Sequence, residues 1–209
     1  MLPSTNSPGR CLTHNLTKPT MKKLLSLLVL PGLLAVTGFA EKIDLGAGKA
    51  VHLTLPDSWT STDQPPASPG VPMMGQNVRY VPKNGANEAL LITILTVPED
   101  NFKDPDNLKA MVEIATQQFV AGSVEGKADI KEFKFAGASG FSATFTDANL
   151  VGKPSVKDDY KAMTSCFAYI GNQVMVTATI FTDEIGGRAY SEAVRVLKSI
   201  SLTLPKDTI

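Results

Sequence analysis

Histidine and cysteine are scarce in this chain: its 209 residues hold two of each, and a single tryptophan. One member of each pair, Cys11 and His14, lies ahead of an export signal that opens at Met21, which leaves Cys166 and His52 for the folded part. A lone cysteine cannot close an intramolecular disulfide, so the fold must rest on its hydrophobic core. A lone histidine means that a Ser-His-Asp or Cys-His site could be built only around His52, and a zinc site of the usual kind, which needs several His or Cys ligands, has too few. Val51 and Leu53 flank His52, so strand alternation places it on the solvent face of an edge strand. Cys166, inside the apolar run MTSCFAYI, reads as a buried and inert thiol. Gly-rich phosphate loops of the Walker or Rossmann form are missing too.

What is present first is a leader. Lys22 and Lys23 give a positive start, the run from Leu24 to Leu34 gives an apolar segment, and Thr37-Gly38-Phe39-Ala40 offers small residues where a signal peptidase cuts. The apolar run falls short of the roughly 20 residues that span a bilayer, and Pro31 interrupts it. The pattern predicts a signal peptide over 21–40, cleaved after Ala40. Residues 1–20, polar and rich in Pro, Ser, Thr and Asn, are expected to be disordered and to precede the true start at Met21. Glu41 follows the expected cut, where a lipoprotein would carry cysteine, so no stable membrane anchor is expected. The remaining 41–209, about 169 residues, is expected to form a single globular domain in the periplasm or outside the cell.

Charge narrows the partners. The leader holds four basic residues, Arg10, Lys18, Lys22 and Lys23, and no acidic one, which leaves 16 basic against 20 acidic residues and a net charge of −4. A mildly acidic surface without a basic run has little to neutralise phosphates, so nucleic acid is excluded as a partner class.

Along 41–209 the alternation of KAVHLTLP predicts a strand that ends at Pro56-Asp57-Ser58, after which Trp59 is expected to cap the core. Residues 61–75 hold most of a Pro-rich loop, and strands follow at NVRYVP and at EALLITILTV, the latter apolar enough to be covered on both faces. Asp104-Pro105 reads as an N-cap and first helical residue, with Leu108, Met111, Val112, Ala115 and Phe119 on one stripe before Gly122. Strands resume at DIKEFKFAG and GFSATFTDA, with Gly137 and Gly140 expected to bracket the turn between them. YKAMTSCFAYI and QVMVTATIFTD flank a two-residue hairpin turn at Gly171-Asn172. Asp183 is expected to cap a closing helix that presents Ile185, Ala189, Ala193, Val196, Leu197 and Ile200. Runs of strands separated by single helices predict an α+β fold with a central antiparallel β-sheet flanked by two main helices.

A strand ending in LPDSW, a strand pair and helix, GASGFSATF, the hairpin YKAMTSCFAYIGNQVMVTATIF and a final helix ending VLKSISL together resemble the PsbP-like fold group. That group includes PsbP itself, a Ran-binding import factor and DcrB-type bacterial envelope proteins. The resemblance covers roughly Val51 to Leu204 and implies an α/β/α sandwich and a non-enzymatic accessory or protein-binding role. It carries over no site residue, because its motifs are turns and helix ends.

Carboxylate pairs remain as candidate chemistry: Glu99 with Asp100, Asp104 with Asp106, Asp158 with Asp159, and Asp183 with Glu184. All sit near turns or helix starts, where a charge solvates a turn or favours the helix dipole, and Asp100, Asp104 and Asp106 lack the spacing of a calcium loop. No catalytic, cofactor or metal residue is assigned. The binding residues put forward are Trp59, Met73 and Met74, large apolar groups in or beside the Pro-rich loop. The expected function is therefore an accessory, protein-binding role in the bacterial envelope. The alternatives are a small-ligand binder using a cleft beside residues 61–75 and a hydrolase with a carboxylate-only site.

Overall fold

A computed structural model of the chain describes residues 38–62, 75–97, 102, 104–136, 138–171 and 173–205. In chain order the elements are β1 (Gly38–Gly46), β2 (Lys49–Pro56), β3 (Trp59–Thr62), β4 (Gln76–Pro82), β5 (Glu88–Thr96) and α1 (Pro105–Val120). Then come β6 (Lys131–Phe135), β7 (Ala138–Thr146), β8 (Ala162–Ile170), β9 (Val174–Thr182), α2 (Arg188–Ser199) and β10 (Ser201–Thr203). The class is α+β, and every strand pairing between these elements is antiparallel.

Seven strands form one sheet in the order β3-β4-β5-β9-β8-β7-β6, and β1, β2 and β10 form a second sheet of three. The second sheet departs from the single central sheet expected. His52 accordingly does not lie on an edge: β2 is the middle strand of the small sheet, and His52 pairs with Lys42 on one side and Ser201 on the other. β1 already starts at Gly38, opposite Pro56, so the cut expected after Ala40 falls within this strand.

β9 pairs along its whole length with both β5 and β8. Period-two alternation then sorts its side chains. Val174, Val176, Ala178 and Ile180 join Leu90, Ile92, Ile94 and Cys166 in one apolar cluster, to which β2 adds Val51, Leu53 and Leu55 and α2 adds Ala193, Val196 and Leu197. Met175 joins Tyr169 and Leu108 of α1 in another. Each fully buried Leu, Ile or Val contributes about 1.5–3 kcal/mol relative to exposure, which is how a domain without a disulfide holds together.

Local signals explain most boundaries. Asp104 caps α1 as expected, its Oδ1 accepting from the Asp106 backbone N–H at 2.9 Å, with Pro105 in the first turn. The β8–β9 connection is three residues, 171–173, rather than two, because Ile170 and Val174 still pair; Gly171 opens it at a φ of 58°. α2 begins at Arg188 behind Gly187, without a side-chain cap. Asp183 instead accepts from the Asn87 side chain at 3.0 Å, the Lys161 backbone N–H at 3.2 Å and Ser155 Oγ, and Ile185 is left outside the helix and exposed.

Gly140 lies within β7, facing Ala168, rather than at a turn. A Cβ there would stand 2.2 Å from the Phe167 carbonyl oxygen, whereas a Cβ at Gly122 would meet nothing within 4 Å. Gly140→Ala is expected to destabilise by about 1–3 kcal/mol through forced separation of β7 and β8, and Gly122→Ala to stay within about 0.5 kcal/mol. Urea unfolding checks both, and equal midpoints would refute the close approach of the two strands.

Candidate functional site

Two of the concavities formed by the described residues lie beside the helices. One, about 430 Å³, lies at the start of α2 and is lined by Ser58, Glu88, Glu184, Arg188 and Glu192 among others. Glu192 is buried on α2 and fully engaged: Oε2 accepts from Ser58 Oγ and from Trp59 Nε1, both at 2.9 Å, and Oε1 accepts from Arg188 Nε at 3.1 Å. Burial pushes its carboxyl up, but hydrogen bonds from the Trp59 indole, Arg188 and the Ser58 hydroxyl outweigh that and hold it below its ordinary value. Glu88, the first residue of β5, behaves oppositely. Burial raises its carboxyl; Asp183 and Glu184 add to the rise, while the Thr182 hydroxyl, 2.6 Å from Oε1, and the Tyr190 backbone N–H oppose it.

Two carboxyls pushed apart in this way are the usual mark of an acid and base pair. The contacts give them another task. Glu192 has both oxygens committed to neighbours, and Glu88 Oε2 is sealed from solvent without a hydrogen bond. Glu192 ties α2 to β3, and Glu88 ties β5 to the end of β9.

The other concavity, about 310 Å³, lies where α1 ends. Its floor is one row of directly paired residues across three strands, Phe145 to Met163 to Phe181. Phe119 of α1 stands over it, its ring 5.8 Å from that of Phe145, and Tyr160 closes the far side, 5.2 Å from Phe181. The Tyr160 hydroxyl is held in place: it accepts from Arg79 Nη2 at 3.0 Å and reaches Asp158 Oδ1 at 3.2 Å. Burial raises its phenol, with Arg79 opposing and Asp158 adding to the rise. At the mouth Gln118 and Asn149 are exposed, and among the described residues Asp147 is the one charged side chain in the lining.

The walls are fixed by backbone bonds. Val124 N–H donates to Thr146 O at 2.8 Å, Ala148 N–H to Gly122 O at 3.0 Å, and Asp147 N–H to Lys161 O at 2.8 Å. Glu125 adds a side-chain clamp, accepting from the Thr146 backbone N–H at 2.8 Å and from its hydroxyl at 2.9 Å. An aromatic floor with a few fixed polar groups at its edge is the usual form of a small-molecule site.

Comparison with solved structures places the architecture. The solution structure of cyanobacterial PsbP (CyanoP) from Synechocystis sp. PCC 6803 matches over 85% of this chain and 99% of its own, at 15% identity and a TM-score of 0.50. The fold is PsbP-like. A crystal structure from Bacteroides thetaiotaomicron VPI-5482 shares 10% identity over 75% of this chain and 46% of its own, with a TM-score of 0.43. The Saccharomyces cerevisiae Ran-binding protein Mog1p shares 15% identity over 78% of this chain and 95% of its own, with a TM-score of 0.40. No protein-family model matches the chain, and no curated protein matches it in sequence.

Within this PsbP-like fold the residues singled out from sequence do not converge. Trp59 is completely buried and bonded to Glu192, so its ring belongs to the core and offers no area to a partner. Met73 and Met74 lie outside the described residues, as do Glu99 and Asp100. Cys166 is buried, and burial pushes its thiol up to about 12. Asp158 pairs with Arg79 at 3.4 Å, Asp104 caps α1 and Asp183 braces the segment before α2. Among the described residues no three His, Cys, Asp or Glu side chains are placed to hold a metal ion, and no helix is long and apolar enough to cross a membrane.

The two buried glutamates escaped the sequence reading, although both left a trace. Glu88 opens an apolar strand, and Glu192 stands at helical spacing, four residues before Val196, inside the apolar stripe of α2. A charge in an apolar stripe signals a buried polar tie.

Their shifts have opposite signs in stability. The raised carboxyl of Glu88 makes the folded state bind the proton more tightly, so its cost grows as pH rises above the ordinary value of 4.5. The lowered carboxyl of Glu192 contributes stability that is present above 4.5 and lost as pH falls through its folded value. Glu88→Gln is therefore expected to raise the melting temperature at pH 7 and to flatten the decline above pH 4.5. Glu192→Gln is expected to lower stability at pH 7 by about 1–3 kcal/mol. Melting curves from pH 3 to 8 check both; equal effects of the two substitutions at pH 7 would refute the assignment.

Proposed function

We propose that the chain is an exported, non-catalytic accessory domain that works by holding another protein in the bacterial envelope. The observation that carries this reading is the PsbP-like fold, matched over nearly the whole of the cyanobacterial PsbP structure. The finer arrangement in this reading is an α/β/α sandwich over 41–209. It is supported by the contributions of α1 and α2 to different apolar clusters, which draw on alternate residues of β9. The placement of Cys166 agrees with it: its buried thiol belongs to the core cluster.

Export follows from the leader over 21–40. Cleavage after Ala40 removes three pairs of β1, Gly38 with Pro56, Phe39 with Leu55 and Ala40 with Thr54, and leaves five with the register of β2 intact. Mass spectrometry of the native protein is expected to find Glu41 at its amino terminus; an intact leader would sink the envelope setting.

The partner surface in this reading is the Pro-rich segment 61–75 with Met73 and Met74. Cross-linking capture from envelope extracts is expected to recover a defined partner with the 41–209 form and to lose it when 61–75 is shortened to a Gly-Ser link. Unchanged recovery removes the segment from the reading, and capture of nothing above a scrambled control removes the protein-binding role. A second reading is a small-ligand binder, expected from sequence to use a cleft beside residues 61–75, of which 63–74 lie outside the described residues; it is favoured instead by the aromatic cavity at the end of α1.

A further inference from the structure

The cavity at the end of α1 has a chemistry that narrows its occupant, and the narrowing rests on the small-ligand reading above. Its floor and walls are flat, apolar and polarisable. Phe145, Met163 and Phe181 form one lateral row, and Phe119 and Tyr160 stand at its two sides. Both ring pairs are tilted, at 47° and 34°, an arrangement that presents ring edges and faces together to a third aromatic group. Met163 adds a thioether, which also favours aromatic neighbours. A volume near 310 Å³ is at the small end of the range for ligand sites and suits a single ring with a short tail.

The polar groups are asymmetric in charge. Among the described residues, Asp147 is the lone charged residue of the lining, and none of them is a cation that would offset it. Oδ1 of Asp147 accepts from the Asn149 backbone N–H at 2.8 Å, which fixes the carboxylate at the mouth while leaving an oxygen for a further donor. Arg79, which donates to the Tyr160 hydroxyl, is also paired with Asp158. An anionic head would therefore meet a carboxylate, and a cationic one would be paired by it and attracted by the aromatic faces beneath. The backbone bonds that pin the end of α1 to β7 set the walls before anything binds, which lowers the ordering cost of binding.

We propose that this cavity binds a small arylalkyl ammonium compound, its ring on the Phe145-Met163-Phe181 row and its ammonium group against Asp147.

Four probes test it by calorimetric titration and by amide chemical shifts on the 41–209 protein: 2-phenylethylammonium, the neutral 2-phenylethanol, the anion 3-phenylpropionate, and methylammonium, which lacks the ring. The expected result is saturable binding of 2-phenylethylammonium, with shifts confined to Gln118–Ser123 and Thr146–Asn149 and the other probes at least about tenfold weaker. Asp147→Asn keeps an acceptor for the Asn149 N–H, so the turn persists; it is expected to weaken the ammonium probe about tenfold or more and to leave 2-phenylethanol unchanged. Phe119→Leu is expected to weaken every ring-bearing probe. If 3-phenylpropionate binds as tightly as the amine, or Asp147→Asn leaves the amine unaffected, the charge assignment is overturned while the cavity stands as a ligand site. If no ring-bearing probe saturates, or the shifts fall elsewhere, the small-ligand reading and the proposal fall together.

Discussion

The register of β9 between β5 and β8 is the constraint on which the rest of the structure depends. Nine consecutive pairs on each side fix which residues of three neighbouring strands stand on the same face. A slip of one residue would exchange Val176, Ala178 and Ile180 for Met175, Thr177 and Thr179, and would turn hydroxyls into the cluster that α2 covers. The neighbouring strands guard against this. Leu90, Ile92 and Ile94 of β5 pair with Ile180, Ala178 and Val176, so the apolar rows reinforce one another across the sheet. The small sheet follows from the same choice, because the cluster presented by β9 is large enough to need Val51, Leu53 and Leu55 as well as α2 to close it.

Burying polar groups against such a core is costly unless each has a partner, and α2 shows how the cost is met. Its first turn has no side-chain cap of its own. Glu192, one turn further on, reaches across to Ser58 and Trp59, and Arg188 partners its other oxygen from the same helix. The tryptophan thus fills the core with its ring and anchors a helix through its nitrogen, which explains why the largest side chain near the Pro-rich loop is spent inside the protein. Glu88, between β5 and the end of β9, is satisfied less completely, with one oxygen on Thr182 and the other sealed without a hydrogen bond.

The parts of this architecture readable in the sequence are those set by neighbours a few residues apart. Asp104-Pro105 announced α1, the apolar alternation of 160–170 and 173–183 announced β8 and β9, and the spacing of Ala193, Val196 and Leu197 announced α2. What escaped depends on residues far apart in the chain. β10 is three residues long and exists only because β2 offers Ala50, Val51 and His52 as partners about 150 residues earlier. Asp183 looked like a cap because of its place before a helix, yet Asn87 and Lys161 claim it. Gly140 resembled a turn residue, while its true reason is the close passage of the Phe167 carbonyl on the next strand. The aromatic cavity was invisible for the same cause: Phe119, Phe145, Tyr160, Met163 and Phe181 come from four separate stretches, and each alone reads as ordinary core.

That cavity exists because the sheet extends beyond the helix that covers it. α1 ends at Val120, and the chain then turns so that Ser123 bridges Asp147 at the end of β7. The Phe145-Met163-Phe181 row lies at this end of the three strands, where Gln118 and Phe119 from the last turn of α1 line the cavity with it. A one-residue slip of β8 against its neighbours would set Ala162 or Thr164, in place of Met163, between Phe145 and Phe181 and break the row. The same register that buries the core therefore leaves three large apolar side chains in line beside the end of α1.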